Sequence, residues 1–211
     1  MPSIAYVSTK DGDSLAVRKL PDGEKIDSLI NGTEVTVSSE PVYAGNRNWV
    51  QIGANRWVAN EFIKIIKGAR VVANRSLKTI SGGLRIYQTR LIDGRNQVVN
   101  TVRGVSGRAN KQTPSDIAGS QTPLPFGIYT FNYPGIVEFK GGEFGGVWSP
   151  VTPTFKTERS EIGIHYDPSA LLQNANSGTA GCFATPTVEE KDTMTNFIRT
   201  YKPTHFIVYQ G

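Results

Sequence analysis

The chain has 211 residues, 38% of them hydrophobic and 19% charged, with 22 glycines and 12 prolines; this fits one large globular domain or two small ones. A single cysteine excludes an internal disulfide and any zinc site built on several thiolates, and two histidines leave little for another metal, so neither metal nor cofactor is expected. The net charge of +5 is concentrated: residues 64–111 carry 11 Lys/Arg against the single acid Asp93, while 1–63 carry 6 against 8 and 112–211 carry 6 against 9.

That basic middle reads either as a solvated face or as an attraction to a polyanion such as an anionic wall polymer. No nucleic-acid-binding signature accompanies it, so nucleic acid is not an expected partner. No apolar run approaches a membrane span. The opening Met1-Pro2-Ser3-Ile4-Ala5-Tyr6 lacks the basic segment and apolar core of a secretory signal.

In chain order, short apolar runs between turn residues predict a mainly β protein. Residues 8–66 predict a small barrel of four or five strands. Leu15 and Val17 alternate with Ala16 and Arg18 before Pro21-Asp22-Gly23. Val35 and Val37 follow the turn Asn31-Gly32, Trp49-Val50-Gln51-Ile52 follows Gly45-Asn46-Arg47-Asn48, and Arg56-Trp57-Val58 closes the unit. We place this first domain at 1–68, a basic linker at 69–80 and a second domain at 81–211.

The second domain opens with a strand over 84–91, the hairpin turn Asp93-Gly94 and a returning strand over 98–102. Residues 104–122 are polar, glycine-rich and without periodicity, a connection long enough to be functional or mobile. A strand over 128–131 follows. Residues 133–150 interleave glycine with Tyr133, Phe139, Phe144 and Trp148, which reads as a hairpin or lid. A strand over 161–165 ends at His165, and a helical turn is expected within 168–176. Thr185-Pro186 predicts a helix start, with Met194, Phe197, Ile198 and Tyr201 on one face. Lys202-Pro203 stops the helix, and 205–209 is a final strand.

The chemistry concentrates at His165 and at Ser177-Gly178-Thr179-Ala180-Gly181-Cys182-Phe183-Ala184. A thiol behind a small-residue turn and an imidazole at a strand end are the minimum parts of a cysteine nucleophile: histidine takes the proton, thiolate attacks, and backbone N–H groups hold the oxyanion. His205 is a poorer partner, because it follows Cys182 across a helix.

Two resemblances give this reading a context. Leu15-Ala16-Val17-Arg18 with Pro21 and Gly23, Gly32 before Val35 and Val37, Trp49-Val50 and Trp57-Val58 resemble the bacterial SH3-like domain family, whose members hold cell-wall enzymes on peptidoglycan or peptide ligands. Tyr43, Trp49 and Trp57 would form the ligand face, the two tryptophans being equally readable as barrel core. His165, Thr179, Gly181, Cys182 and Phe183, with Thr122-Pro123-Leu124-Pro125-Phe126-Gly127 upstream, resemble the L,D-transpeptidase (YkuD-like) catalytic domain family over 80–211.

That second resemblance implies attack by Cys182 on a tetrapeptide stem of peptidoglycan, with His165 as base. The backbone carbonyl of Tyr166 would orient the imidazole, and the N–H groups of Gly181, Cys182 and Ala180 would hold the oxyanion. Thr179 and Ser177 would contact substrate. Trp148 and Tyr133 would form a lid, unless they are core. It also implies a cell-wall or periplasmic location. Ala180 stands where the family has histidine, and Ala184 where it has arginine or asparagine. These departures keep two alternatives open: a non-catalytic wall-binding protein and a lytic peptidase.

Overall fold

The computed structural model describes residues 2–211, the Ser81 side chain excepted. The protein is mainly β, with sixteen strands and one α-helix among the described residues. Eight short strands make up the N-terminal part: β1 (Ser3–Val7), β2 (Leu15–Arg18), β3 (Lys25–Leu29), β4 (Glu34–Val37), β5 (Val42–Ala44), β6 (Arg47–Gly53), β7 (Arg56–Ala59) and β8 (Ile63–Lys64). They form two sheets, in the orders β4-β1-β8 and β3-β2-β7-β6-β5. Val7, Leu15, Val17, Val50 and Val58 meet between them as a common core. The alternation at 15–18 does what the pleat requires: Leu15 and Val17 are buried, and Ala16 and Arg18 are less so.

The remaining strands are β9 (Arg70–Ile80), β10 (Leu84–Ile92), β11 (Val98–Arg108), β12 (Gly127–Phe131), β13 (Trp148–Pro153), β14 (Gly163–Tyr166), β15 (Gly178–Thr185) and β16 (His205–Tyr209). They close an eight-stranded barrel in the order β10-β11-β15-β14-β13-β12-β16-β9. Neighbours run antiparallel except β14 with β15 and β16 with β9, which are parallel. Tyr87, Leu91, Tyr129, Phe131, Ile164, Phe183, Phe206 and Val208 fill the interior, largely through edge-to-face aromatic contacts.

The segment 69–80 is therefore not a linker. It is β9, a barrel stave whose first half is buried on both sides and whose residues 77–79 are exposed. Val71 and Ala73 point into the barrel core, and Val72 points into a second cluster with Tyr6, Ile66, Ile92, Ile128, Ile207 and Tyr209. That second cluster seats the N-terminal part directly on the barrel. Arg70, only 1% exposed, donates to the Tyr6 hydroxyl at 3.0 Å and to Asn96 Oδ1 at 2.8 Å. Glu34 pairs with Arg90 at 2.7 Å across the same junction. Gly32 (φ 82°) lies so close to the backbone of Gly127 and Val208 that a Cβ would overlap them.

The basic middle segment is correspondingly not one solvated face. Arg70 and Arg75 are buried, while Arg90 and Arg103 are held by Glu34 and Glu190.

The helix α1 (Val188–Tyr201) starts two residues later than expected. Thr187 is the cap: its Oγ1 accepts from Glu190 N at 3.3 Å and donates to the Glu190 carboxylate at 3.0 Å. Met194, Phe197 and Ile198 are buried in the barrel core, whereas Tyr201 is 42% exposed and stacks on Phe197. Residues 168–176 form turns, not a helical turn. No helix among the described residues is long and apolar enough to cross a membrane.

Candidate active site

Strands β14 and β15 carry His165 and Cys182. They pair in parallel, with Ile164 opposite Phe183 and His165 opposite Ala184. Ile164 and Phe183 point into the barrel, so alternation puts His165, Ala184 and Cys182 on the other face. There His165 and Cys182 line one cavity of about 580 Å³, the size of a small-molecule site.

The histidine is buried at 4% exposure. Its Nδ1 lies 2.8 Å from the carbonyl of Tyr166. A carbonyl only accepts, so Nδ1 carries the proton and, in the neutral ring, Nε2 keeps its lone pair. Phe144 and Trp148 wall the ring at centroid distances of 5.2 Å and 6.2 Å. Burial pushes the imidazole below its ordinary value, opposed by the Tyr166 carbonyl, Asp167 and Glu143. A depressed value keeps the ring neutral, hence basic, at pH 7.

Cys182 sits in a strand rather than in a free turn, and it is half-buried. Its Sγ lies 3.7 Å from the carbonyl of Glu161. Burial pushes the thiol up, opposed by the Gly163 amide, Arg159 and Lys140. Two hydroxyls fix its backbone: Ser106 Oγ and Thr179 Oγ1 donate to the Cys182 carbonyl at 2.9 Å and 2.6 Å.

Thr179 is thus a brace more than a substrate contact, although it reaches the cavity wall. Its Oγ1 also accepts from Gly107 N at 3.0 Å and from Gly181 N at 3.1 Å. The second of these bonds corrects one expectation, because the Gly181 N–H is engaged by Thr179 and is not free for an oxyanion. Gly181 itself is required. It has φ 125°, and a Cβ there would overlap the Arg159 guanidinium. Ala180 is exposed on the cavity wall.

The other expected contacts divide. Ser177 is fully buried, accepts from Asn174 N at 3.3 Å and does not line the cavity. Trp148, 7% exposed, backs His165 from within the fold and is core, not lid. Tyr133 is 57% exposed and outside the cavity.

The stretch containing Trp148 does form a hairpin closed by the bridge Glu138↔Trp148. Its cavity-facing residues are Lys140, Glu143 and Phe144. Lys140 Nζ lies 4.1 Å from the Phe144 ring and 4.3 Å from the Trp148 ring.

In the N-terminal part, Tyr43 is 69% exposed and Trp49 is 3% exposed, with its Nε1 on the Ala44 carbonyl at 3.0 Å. Trp57 is half-buried. Trp49 borders a groove of about 760 Å³ that Tyr43 and Trp57 do not reach. The structure does not bring the three into one face.

Sequence reasoning missed Arg159 and Asp167, both buried on the cavity wall. Asp167 had a legible signal, since it lies two residues beyond His165 at the end of an extended strand. Arg159 had none, being one cation in an irregular segment that reaches the site only through folding. Among the described residues no group of three His, Cys, Asp or Glu is placed to hold a metal. Compared with known families, with curated proteins and with solved structures, the chain matches no family model, no protein and no structure.

Proposed function

We propose that the protein is a cysteine acyltransferase of the L,D-transpeptidase kind, acting on the peptide stems of peptidoglycan, with an SH3-like N-terminal part that engages the wall. The observation that carries this reading is the shared cavity of Cys182 and His165, with the imidazole Nδ1 held by the Tyr166 carbonyl. His165 Nε2 takes the thiol proton and the thiolate attacks the carbonyl of the L-centred residue. The tetrahedral intermediate expels D-alanine, which leaves with the proton returned from His165, and a thioester remains. An acceptor amine then gives a cross-link, or water gives a shortened stem. With Gly181 N–H engaged by Thr179, the reading leaves the oxyanion to the amides of Cys182 and Ala180. On this reading the protein works in the cell wall or periplasm.

Intact mass after incubation with a tetrapeptide muropeptide or a carbapenem tests this. The wild-type chain gains a covalent adduct and Cys182→Ala does not. An unmodified wild type, or equal labelling of Cys182→Ala, removes the mechanism.

A second reading is a wall-binding protein without turnover. It is favoured by Ala184, fully buried in a cluster with Leu84, Val105 and Ala170 where the family carries a polar side chain. Retention on purified sacculi with an unchanged muropeptide profile would select it.

A further inference from the structure

Two buried charges of opposite sign flank the reactive pair, and neither joins any ion pair among the described residues. Arg159, 8% exposed, lies on the cysteine side. Its guanidinium donates to the Gly181 carbonyl at 3.0 Å, the Thr122 carbonyl at 3.3 Å, the Ser115 carbonyl at 3.2 Å and the Ser120 hydroxyl at 3.2 Å, all of them neutral oxygens. Asp167, 3% exposed, lies on the histidine side. Its Oδ1 accepts from Ser169 N at 2.8 Å and Ser169 Oγ at 2.7 Å, while its buried Oδ2 has no hydrogen-bond partner. A buried charge without a counter-charge is costly. The two positions are explained together if each charge meets its opposite during proton transfer.

We propose that Arg159 and Asp167 are positioning residues that frame the pair electrostatically, the guanidinium stabilising the Cys182 thiolate and the carboxylate stabilising the His165 imidazolium. In this step the S–H bond breaks, an Nε2–H bond forms, and the site keeps its net charge. The inference rests on the cysteine–histidine reading of the site but not on the identity of an acyl donor.

Burial opposes both charges, holding the thiol up and the imidazole down, and so favours the neutral pair at rest. Arg159 acts against the first effect and Asp167 against the second. The other charged groups around the site are weaker candidates. Lys140, Glu143 and Glu161 are exposed to solvent. Arg108 faces Glu143 at 4.0 Å, and Lys191 of the helix pairs with Asp192 at 3.1 Å.

Cys182 is the only thiol, so iodoacetamide alkylation followed over pH reads it alone. NMR titration reads His165, with His205, whose pKa is pushed down to about 4 chiefly by burial, as internal control. Asp167→Asn keeps an Oδ1 acceptor for Ser169 and removes the charge. It should move the His165 titration to lower pH by about one unit and leave His205 in place. Arg159→Gln should move the alkylation profile to higher pH by about one unit, a roughly tenfold slower reaction at neutral pH. Arg159→Lys, which keeps the charge, should recover most of that loss.

An unmoved His165 titration in folded Asp167→Asn overturns the proposal, as does Arg159→Lys alkylating as slowly as Arg159→Gln. If the Arg159 variants do not fold, the Asp167→Asn titration decides alone. Shifts as expected in a protein that forms no acyl adduct would retain the frame and remove the acyltransferase reading.

Discussion

Thr179 joins three backbone groups through one oxygen: it accepts from Gly107 N and Gly181 N and donates to the Cys182 carbonyl. The Cys182 sulfur is attached to backbone that this hydroxyl and Ser106 Oγ hold in place. Replacing Thr179 by valine keeps the shape and leaves two buried N–H groups without an acceptor, which costs about 1–3 kcal/mol. We expect Thr179→Val to lower the urea midpoint accordingly and to slow alkylation of Cys182, and Thr179→Ser to restore both. Equal midpoints for wild type and Thr179→Val would show that these bonds do not brace the strand. Cys182 and His165 were legible as candidates from residue type and spacing, and Tyr166 only through the resemblance; the structure places the first two on one cavity and the Tyr166 carbonyl at His165 Nδ1. The bracing role of Thr179 was not legible, since which amides its hydroxyl reaches depends on where β11 lies.

At the scale of elements, alternation and helical spacing located most strands and the buried face of α1. They misplaced what neighbours decide. Thr185 and Thr187 both precede plausible helix starts. Thr187 is the cap because its hydroxyl meets both the amide and the carboxylate of Glu190, three residues on, and that carboxylate also binds Arg103 of β11 at 2.7 Å. Thr187→Ala should therefore cost about 1 kcal/mol, read as a lower midpoint in thermal or urea unfolding, with Thr187→Ser close to wild type. Thr185→Ala, buried with its Oγ1 3.4 Å from the His165 carbonyl, should not change the helix signal. The stave β9 was hidden by its own composition. Arg70 and Arg75 read as solvated cations, yet Arg70 is satisfied by Tyr6, Gly68 and Asn96, and Arg75 reaches Gln210 and the Gln112 carbonyl. The long polar connection after β11 is likewise pinned from afar, with Arg159 gripping Ser115, Ser120 and Thr122.

For the molecule as a whole, the N-terminal strands and the barrel share a buried cluster and the Tyr6–Arg70 bond at 3.0 Å. Burial raises the Tyr6 hydroxyl to about 12, so it stays protonated throughout the neutral range. Tyr6→Phe removes an acceptor from a buried guanidinium, and we expect a loss of about 1–3 kcal/mol. Because the junction is a core and not a tether, the two parts should unfold together. Calorimetry should give one transition shifted down in Tyr6→Phe; two separate transitions in the wild type would contradict a shared core. The same packing leaves the His165–Cys182 cavity on strands held in a closed barrel, the kind of setting that the proposed acyl transfer needs for ångström-scale placement.

The sequence by itself determined the mainly β character, many of the short strands and their turns, most of the buried helix face, and the choice of His165 and Cys182 as the candidate site. All of these rest on residue type and on periods of two to four positions, which act locally along the chain. Tertiary structure alone decided that 70–80 is a barrel stave and that β14 and β15 run side by side in parallel. It also decided that the Gly181 amide is occupied and that Arg159, bound to the Gly181 carbonyl, and Asp167 are buried on the wall of the cavity shared by Cys182 and His165. Each of these depends on contacts between segments distant in sequence, where burial and hydrogen-bond satisfaction, not local propensity, select the partner.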